Sequence, residues 1–389
     1  MKKKTILLCI MVILVTLPAI AVREKRTIND GWKFYKGDVG KEVITIGFDD
    51  SSWEHIHLPH TWNSDAYVVK KYYKGIGWYR KQFTISPEWK DQQIFLHMEG
   101  ASKESKVFVN GKEVGNHVGG YTASTFDITT FVTLESPNTL VIQVDNSSMD
   151  IVPISADFTF FGGIYRDVWL TTTAKQHINL TNMGSEGIFI HTPIVNEQEG
   201  MLAIKTEVKN DASIQANLEL YQEIYTPNGS LAQTLSKRLK LKAGELIVVD
   251  MESEQIKQPL LWTPKTPYLY KIVTSLVDRH TKEVLDCSEH YIGFRWYNFD
   301  AAKGFFLNGK PYKLHGVCRH QDQKPIGPAM SDEMHRRDFM LMKEMGTNFI
   351  RISHYPQDDA LIEMCDRLGM LVWDCLLYTS PSPRDSTSS

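Results

Sequence analysis

The sequence predicts a multidomain chain: a β-sandwich of jelly-roll type, then an immunoglobulin-like β-sandwich, then the start of a (β/α)8 TIM barrel. Three observations predict it. From Arg23 to about His290, short apolar runs rich in aromatics alternate with Gly, Pro and Asn, and no helix-length pattern interrupts them. Then the period changes. Gly316-Val317-Cys318-Arg319 and Asn348-Phe349-Ile350-Arg351-Ile352 are short apolar runs that each end in ionisable residues, with one helix-length segment between them. Strand, helix, strand at this spacing is a βαβ unit, which builds parallel sheet. The repeat then continues to a third run, Met370-Leu371-Val372-Trp373. A chain of 389 residues has room for two to three such domains.

Residues 1–21 read as a signal peptide. Lys2, Lys3 and Lys4 form a basic start, Ile6 to Ala21 is almost wholly apolar, and Ala19-Ile20-Ala21 offers a small-x-small cleavage site. The expectation is a secreted or periplasmic bacterial protein with no membrane contact after cleavage. An uncleaved anchor is the alternative, because the run is close to the roughly 17-residue minimum for a span. Cys9, Cys287, Cys318, Cys365 and Cys375 show no CxxC spacing, so neither zinc nor a disulfide framework is expected. A net charge of −3 argues against a nucleic-acid partner held by bulk electrostatics.

Residues 22–174 form the first sandwich in this reading. Trp78 to Phe83, Ile94 to Met98 and Thr139 to Val144 are strands. Asn110-Gly111 between Val107-Phe108-Val109 and Lys112-Glu113-Val114 is a strong two-residue hairpin signal. Trp62, Trp78 and Tyr79 could stack on sugar, but sandwich core is the better assignment. Residues 175–294 form the second sandwich, with strands at Leu202 to Val208, Ala216 to Leu220, Leu246 to Val249 and Tyr268 to Val273. Nothing in it looks chemical, and it reads as a spacer. Residues 295–375 open the barrel, with Asn308-Gly309 as a turn leading into its first strand.

Ser331 is placed as an N-cap, with Asp332 and Glu333 in the first turn, where the helix dipole favours acids. Met334, Leu341, Met342 and Met345 are expected on one inward face, and Gly346 as the stop. A second helix starts near Asp358, with Leu361, Cys365 and Leu368 inward and Gly369 at its end. A third, buried strand then runs to Asp374. Residues 376–389 are low-complexity and read as a non-native tail.

Ile28-Asn29-Asp30-Gly31-Trp32-Lys33-Phe34, Leu58-Pro59-His60-Thr61-Trp62-Asn63 and Gly75-Ile76-Gly77-Trp78-Tyr79-Arg80-Lys81 are similar to signatures of the sugar-binding domain of glycoside hydrolase family 2. Phe161-Gly162-Gly163-Ile164-Tyr165-Arg166-Asp167-Val168 is similar to the segment closing that domain. Gly316 to Asp322 and Arg351-Ile352-Ser353-His354-Tyr355-Pro356 resemble its barrel motifs. Arg319-His320-Gln321-Asp322 together with Phe161 to Arg166 looks most like the β-galactosidase branch.

The resemblance implies retaining hydrolysis of terminal β-galactosides, which needs two carboxylates about 5 Å apart. It implies that the acid/base and the nucleophile, both Glu, lie on the fourth and seventh barrel strands. The chain holds neither, so no catalytic residue is assigned and the chain by itself is expected to be inactive. Glu333, Glu344 and Glu363 sit on helices facing elsewhere, and Cys375 stands where relatives carry Glu. The resemblance further implies that His320 and His354 hydrogen-bond sugar hydroxyls, each imidazole donating on one nitrogen and accepting on the other. Arg351 would hold the nucleophile carboxylate ionised. Asp157 would reach the barrel mouth, bind sugar hydroxyls and hold a monovalent cation, the one ion implied. The plain alternatives are backbone-satisfied histidines, an ordinary salt bridge and a turn-capping Asp. Arg319 is read as a structural residue of the barrel floor. The other functional readings are a β-glucuronidase or β-mannosidase of the same family, or a carbohydrate-binding protein without catalysis. Oligomeric state stays open.

Overall fold

The computed structural model describes residues 23–69, 71–151 and 158–375. The signal peptide, Asp157 and the tail from 376 lie outside the described residues.

The first unit is two antiparallel sheets. One has six strands in the order 54–56, 32–36, 76–83, 138–145, 104–109, 112–118, and the other has four in the order 23–27, 168–173, 93–98, 124–127. Their inner faces enclose one core that includes Trp32, Tyr79, Leu96, Ile142 and Leu170. The strand Ile76–Phe83 is buried on both faces. Tyr79 joins that core, while Trp78 packs outward against Val43 and Trp53. Trp62 is core as well. The Asn110-Gly111 turn has positive φ at both residues (50° and 79°), the geometry a two-residue hairpin requires.

The second unit is another pair of antiparallel sheets. The strands 176–178, 188–195, 246–252 and 256–257 all pair with the long strand 199–210, and 231–241, 216–225, 270–278 and 284–292 form the facing sheet. Alternation is regular: Ala216–Tyr225 and Tyr270–Asp278 bury every second residue. A small three-stranded sheet follows, 297–300, 304–307 and 310–311, turning at Asn308-Gly309. It lies under the barrel start, where Leu307 packs with Trp262 and Leu371.

The last unit is β1 (Gly316–Arg319), α1 (Asp332–Glu344), β2 (Phe349–Ile352), α2 (Asp359–Leu368) and β3 (Leu371–Asp374). The three strands pair in parallel, with Arg319 opposite Ile352 and Ile352 opposite Asp374. The inward face of α1 is His335, Phe339 and Met342, so that of the four residues expected there Met342 alone is buried. Leu341 and Met345 are 49% and 72% exposed. The face is set by His335, whose ring meets Arg319 under the sheet, so hydropathy alone chose a face rotated by one residue. On α2, Met364 takes the inward place expected of Leu368, beside Leu361 and Cys365. Trp373, expected buried, is exposed near Phe299.

Helix α2 is held at both ends. Asp358 caps its N-terminus by accepting from Ala360 N (3.0 Å). At the other end Trp262 Nε1 of the second sandwich donates to Asp366 O (2.7 Å). Gly369 has φ +79°, and a Cβ there would meet Pro264 O at 2.3 Å, so glycine is required on both counts.

Candidate functional site

In a parallel sheet every strand ends on the same edge, and that edge is the site face of a (β/α) barrel. His320 follows β1, and His354 and Tyr355 follow β2. The two histidine rings stand edge-on, 5.2 Å apart. Phe158 of the first sandwich packs over them, 5.7 Å from His320 and 6.1 Å from His354, and 5.3 Å from Tyr355. Tyr355 stacks on Tyr121 of the sandwich at 4.4 Å. Arg351 Nη1 donates to Ser353 Oγ (3.1 Å), and both its Nη2 and His354 Nδ1 lie 3.4 Å from Cys375 Sγ. The structure thus brings His320, His354 and Arg351 to one place. Asp157 lies outside the described residues, but its neighbour Phe158 reaches that place.

The loop carrying Phe158 is fixed from below. Asn146 Nδ2 donates to Phe160 O (3.2 Å), Phe160 N donates to Tyr72 Oη (3.0 Å), and Gly162 N donates to Asn63 Oδ1 (2.7 Å). A Cβ at Gly162 would meet the Trp62 ring at 2.1 Å, and one at Gly163 would meet His60 O at 2.3 Å. The glycine pair therefore answers the Leu58–Asn63 segment, which packs directly against it.

Arg319 turns down into the helix layer. Its guanidinium meets Asp338 (2.8 Å), Gln357 Oε1 (2.6 Å) and His335 Nδ1 (3.0 Å), the structural place expected of it. Arg166 crosses from the sandwich and is buried. Its Nη2 donates to Pro356 O (2.7 Å) and Gln321 Oε1 (3.1 Å), and its Nη1 to Glu99 O (3.3 Å) and Tyr121 O (3.4 Å). It therefore holds the His354–Pro356 segment from behind. Asp322, two residues beyond His320, accepts from the Tyr67 hydroxyl, and partial desolvation pushes its carboxyl up to about 6.

Sequence reasoning missed Phe158, Tyr121, Tyr355 and Arg166 as site residues. Tyr355 and Arg166 lay inside quoted motifs, so the signal was present without a role attached to it. Nothing in the pattern around Tyr121 marks it.

A second feature lies at the seam between the first sandwich and the barrel. A cavity of about 300 Å³ is lined by Glu99, Asp332, Asp358, Asp359 and Glu363, with Lys25 and Arg23 on its sandwich side. Trp169 Nε1 donates to Glu99 Oε1 (2.7 Å). Burial, then the charges of Asp358 and Asp167, push Glu99 up to about 8. Asp167, Asp332 and Asp359 are also raised, by burial first and by neighbouring carboxylates, Asp358 among them in each case. Among the described residues, no three His, Cys, Asp or Glu side chains already enclose a metal position.

The arrangement of two sandwiches and a barrel start, with polar strand ends facing a sandwich loop, is matched piece by piece by one family of proteins. Glycosyl hydrolases family 2 matches in three pieces: its sugar binding domain at residues 42–174, the domain carrying the family's bare name at 185–295, and its TIM barrel domain at 301–379. The chain belongs to glycosyl hydrolases family 2.

Among its relatives is a Bacteroides uniformis beta-glucuronidase of solved structure, 60% identical with a TM-score of 0.89, over 90% of this chain and 42% of that one. A calcium binding mutant of a Bacteroides uniformis beta-glucuronidase, with two aspartates replaced by alanine, superposes with a TM-score of 0.86 at 60% identity, over 90% of this chain and 42% of that one. A Bacteroides fragilis beta-glucuronidase is 35% identical over 93% of this chain and 50% of its own length. A Bacteroides ovatus beta-galactosidase is 32% identical over 91% of this chain and 41% of its own. The chain spans half or less of the length of these relatives.

Proposed function

We propose that this chain carries the glycone-binding face of an exported, retaining β-glycosidase, with a terminal β-glucuronide as the glycone. The site observation that carries the reading is the convergence of His320, His354 and Arg351 under Phe158. Neutral imidazoles suit hydroxyls that both donate and accept. Arg351 suits a carboxylate, whether the nucleophile's or a uronate's. The choice of glucuronide over the galactoside expected from the motifs rests on the 60% identity to the Bacteroides uniformis enzyme. A β-galactoside is the second reading, favoured by the Arg319–Asp322 run and by the Bacteroides ovatus relative.

The carboxyls at the described strand ends are Asp322 and Asp374, one on β1's exit and one on β3's. The reading leaves acid/base and nucleophile to strands beyond β3, so the 389-residue chain binds sugar without turning it over. Calorimetry with methyl β-glucuronide and methyl β-galactoside tests this, beside an assay with the matching aryl glycosides. The expected result is tighter glucuronide binding, lost in His354→Ala, and no aryl release. Preference for the galactoside would move the assignment to the second reading. Aryl release abolished by His354→Ala would overturn the inactivity.

We also infer that the chain binds a divalent cation. The two aspartates replaced in the calcium binding mutant have the same sequence separation as Asp332 and Asp358, which line one cavity here. The donor set fits calcium, which takes carboxylate, carbonyl and water oxygens with loose geometry, better than a metal needing three side-chain ligands. A monovalent cation at Asp157 remains a separate expectation outside the described residues.

A further inference from the structure

Lys103 of the first sandwich is a buried cation, 4% exposed, that the sugar site has so far left without a role. An ammonium taken out of water is costly unless its N–H groups find acceptors, so its partners say what it is for. Its backbone is fixed on both sides: Lys103 N donates to Asp145 O (3.0 Å) and Gly119 N donates to Lys103 O (2.9 Å). The two residues before it, Ala101–Ser102, pair with Gly163–Ile164, where the Phe158 loop rejoins the sandwich. From this root the side chain reaches into the loop. Nζ donates to Ser148 O (3.1 Å) and to Ile151 O (3.0 Å), on the limb that leaves the strand Asn138–Asp145. The same Nζ stands 5.2 Å from the centre of the Phe160 ring, on the returning limb. Phe160 meets Phe158 edge-on at 5.3 Å, and Phe158 covers His320 and His354. One ammonium therefore grips both limbs of the loop, the first by charge-assisted hydrogen bonds and the second through a ring. Lys74 also faces the Phe160 ring, at 4.9 Å, but Lys74 is exposed.

We propose that Lys103 is a positioning residue for sugar recognition, clasping both limbs of the loop so that Phe158 is fixed over His320 and His354. The proposal rests on the reading of that face as the glycone site. Its physical content is preorganisation. With the ammonium in place the aromatic cover is set before sugar arrives, and without it binding must also order the loop. Lys103 acts through Phe160 and Phe158.

Two measurements on the 389-residue protein test this: calorimetry with methyl β-glucuronide and methyl β-galactoside, and backbone hydrogen exchange without sugar. Lys103→Met keeps the stem and removes the charge. It should bind the preferred glycoside at least about tenfold more weakly, the worth of one hydrogen bond to a charged group. Exchange should quicken at Phe160 and Gly162, while the strand Asn138–Asp145 keeps its protection. Lys103→Arg, which keeps a cationic donor, should recover most of the affinity. Lys74→Met should stay within about twofold of wild type, as for an exposed charge. If Lys103→Met does not fold, Lys103→Gln, an uncharged donor of shorter reach, should show the same local exchange and a smaller loss of affinity. Unchanged affinity in the neutral Lys103 variants, beside a wild type that binds and a His354→Ala that does not, would overturn the proposal and leave the glycone reading intact. Quickened exchange throughout the strand Asn138–Asp145 would overturn it too, because Lys103 would then be supporting the sandwich as a whole. Failure of wild type to bind either glycoside would overturn the glycone reading itself, and the proposal with it.

Discussion

At the scale of single residues, His60 shows how a motif can be legible while its chemistry is not. The Leu58–Asn63 run was legible in the sequence as a signature of the sugar-binding domain, with no role attached to its histidine. In the structure the ring packs 4.6 Å from Phe34, and Nδ1 lies 2.8 Å from the Tyr79 hydroxyl. Burial lowers its pKa to about 4. A lowered histidine takes up its proton more readily in the unfolded chain. Its contribution is present above the unfolded value near 6.5 and is lost as pH falls from there toward 4. Urea midpoints at pH 7 and pH 4.5 should therefore differ less in His60→Gln than in wild type, with up to about 3 kcal/mol at stake. An equal pH dependence in both proteins would exclude His60 as a source of acid sensitivity. Asn146 is similar: its Asn-Ser-Ser run fits a glycosylation pattern, but the side chain is buried and bonded to Gly75 N and Phe160 O. Both cases turn on partners distant in sequence, which no local pattern displays.

At the scale of elements, type was legible and orientation was not. The strands, both hairpin turns and both helix stops follow from periodicity and from Asn-Gly or Gly signals, which act within a few residues. The inward face of α1 does not, because a histidine outranks two methionines there. His335 is buried for the sake of Arg319, and Arg319 for the sake of Asp338 and Gln357. The assignment has an energetic consequence. Phe339→Ala, on the inward face, should cost about 3–5 kcal/mol. Leu341→Gln, on the face that hydropathy preferred, should stay within about 0.5 kcal/mol of wild type. Chemical denaturation of the two variants distinguishes the faces, and a reversed ranking would restore the methionine stripe.

At the scale of the whole molecule, the start of the barrel was legible because the strand-only pattern gives way there to strand, helix, strand, and the glycone was not. Sugar choice depends on side chains that converge from separate domains, and Phe158, Tyr121 and Arg166 enter the site only through that convergence. Arg166 reaches partners 155 and 190 positions away. Removing one side of such a buried charged contact costs about 3–5 kcal/mol. Arg166→Met should therefore split thermal unfolding into separate sandwich and barrel transitions and weaken sugar binding, and a single unshifted transition would show that the seam is held by other contacts. The double grip on α2 bears on how the chain is made. Synthesis runs from the N-terminus, and domains fold largely in that order. Arg166, Trp262 and Pro264 are all in place before α2 leaves the ribosome. The helix need not nucleate a barrel of its own; it arrives at a finished mould and is cast against it.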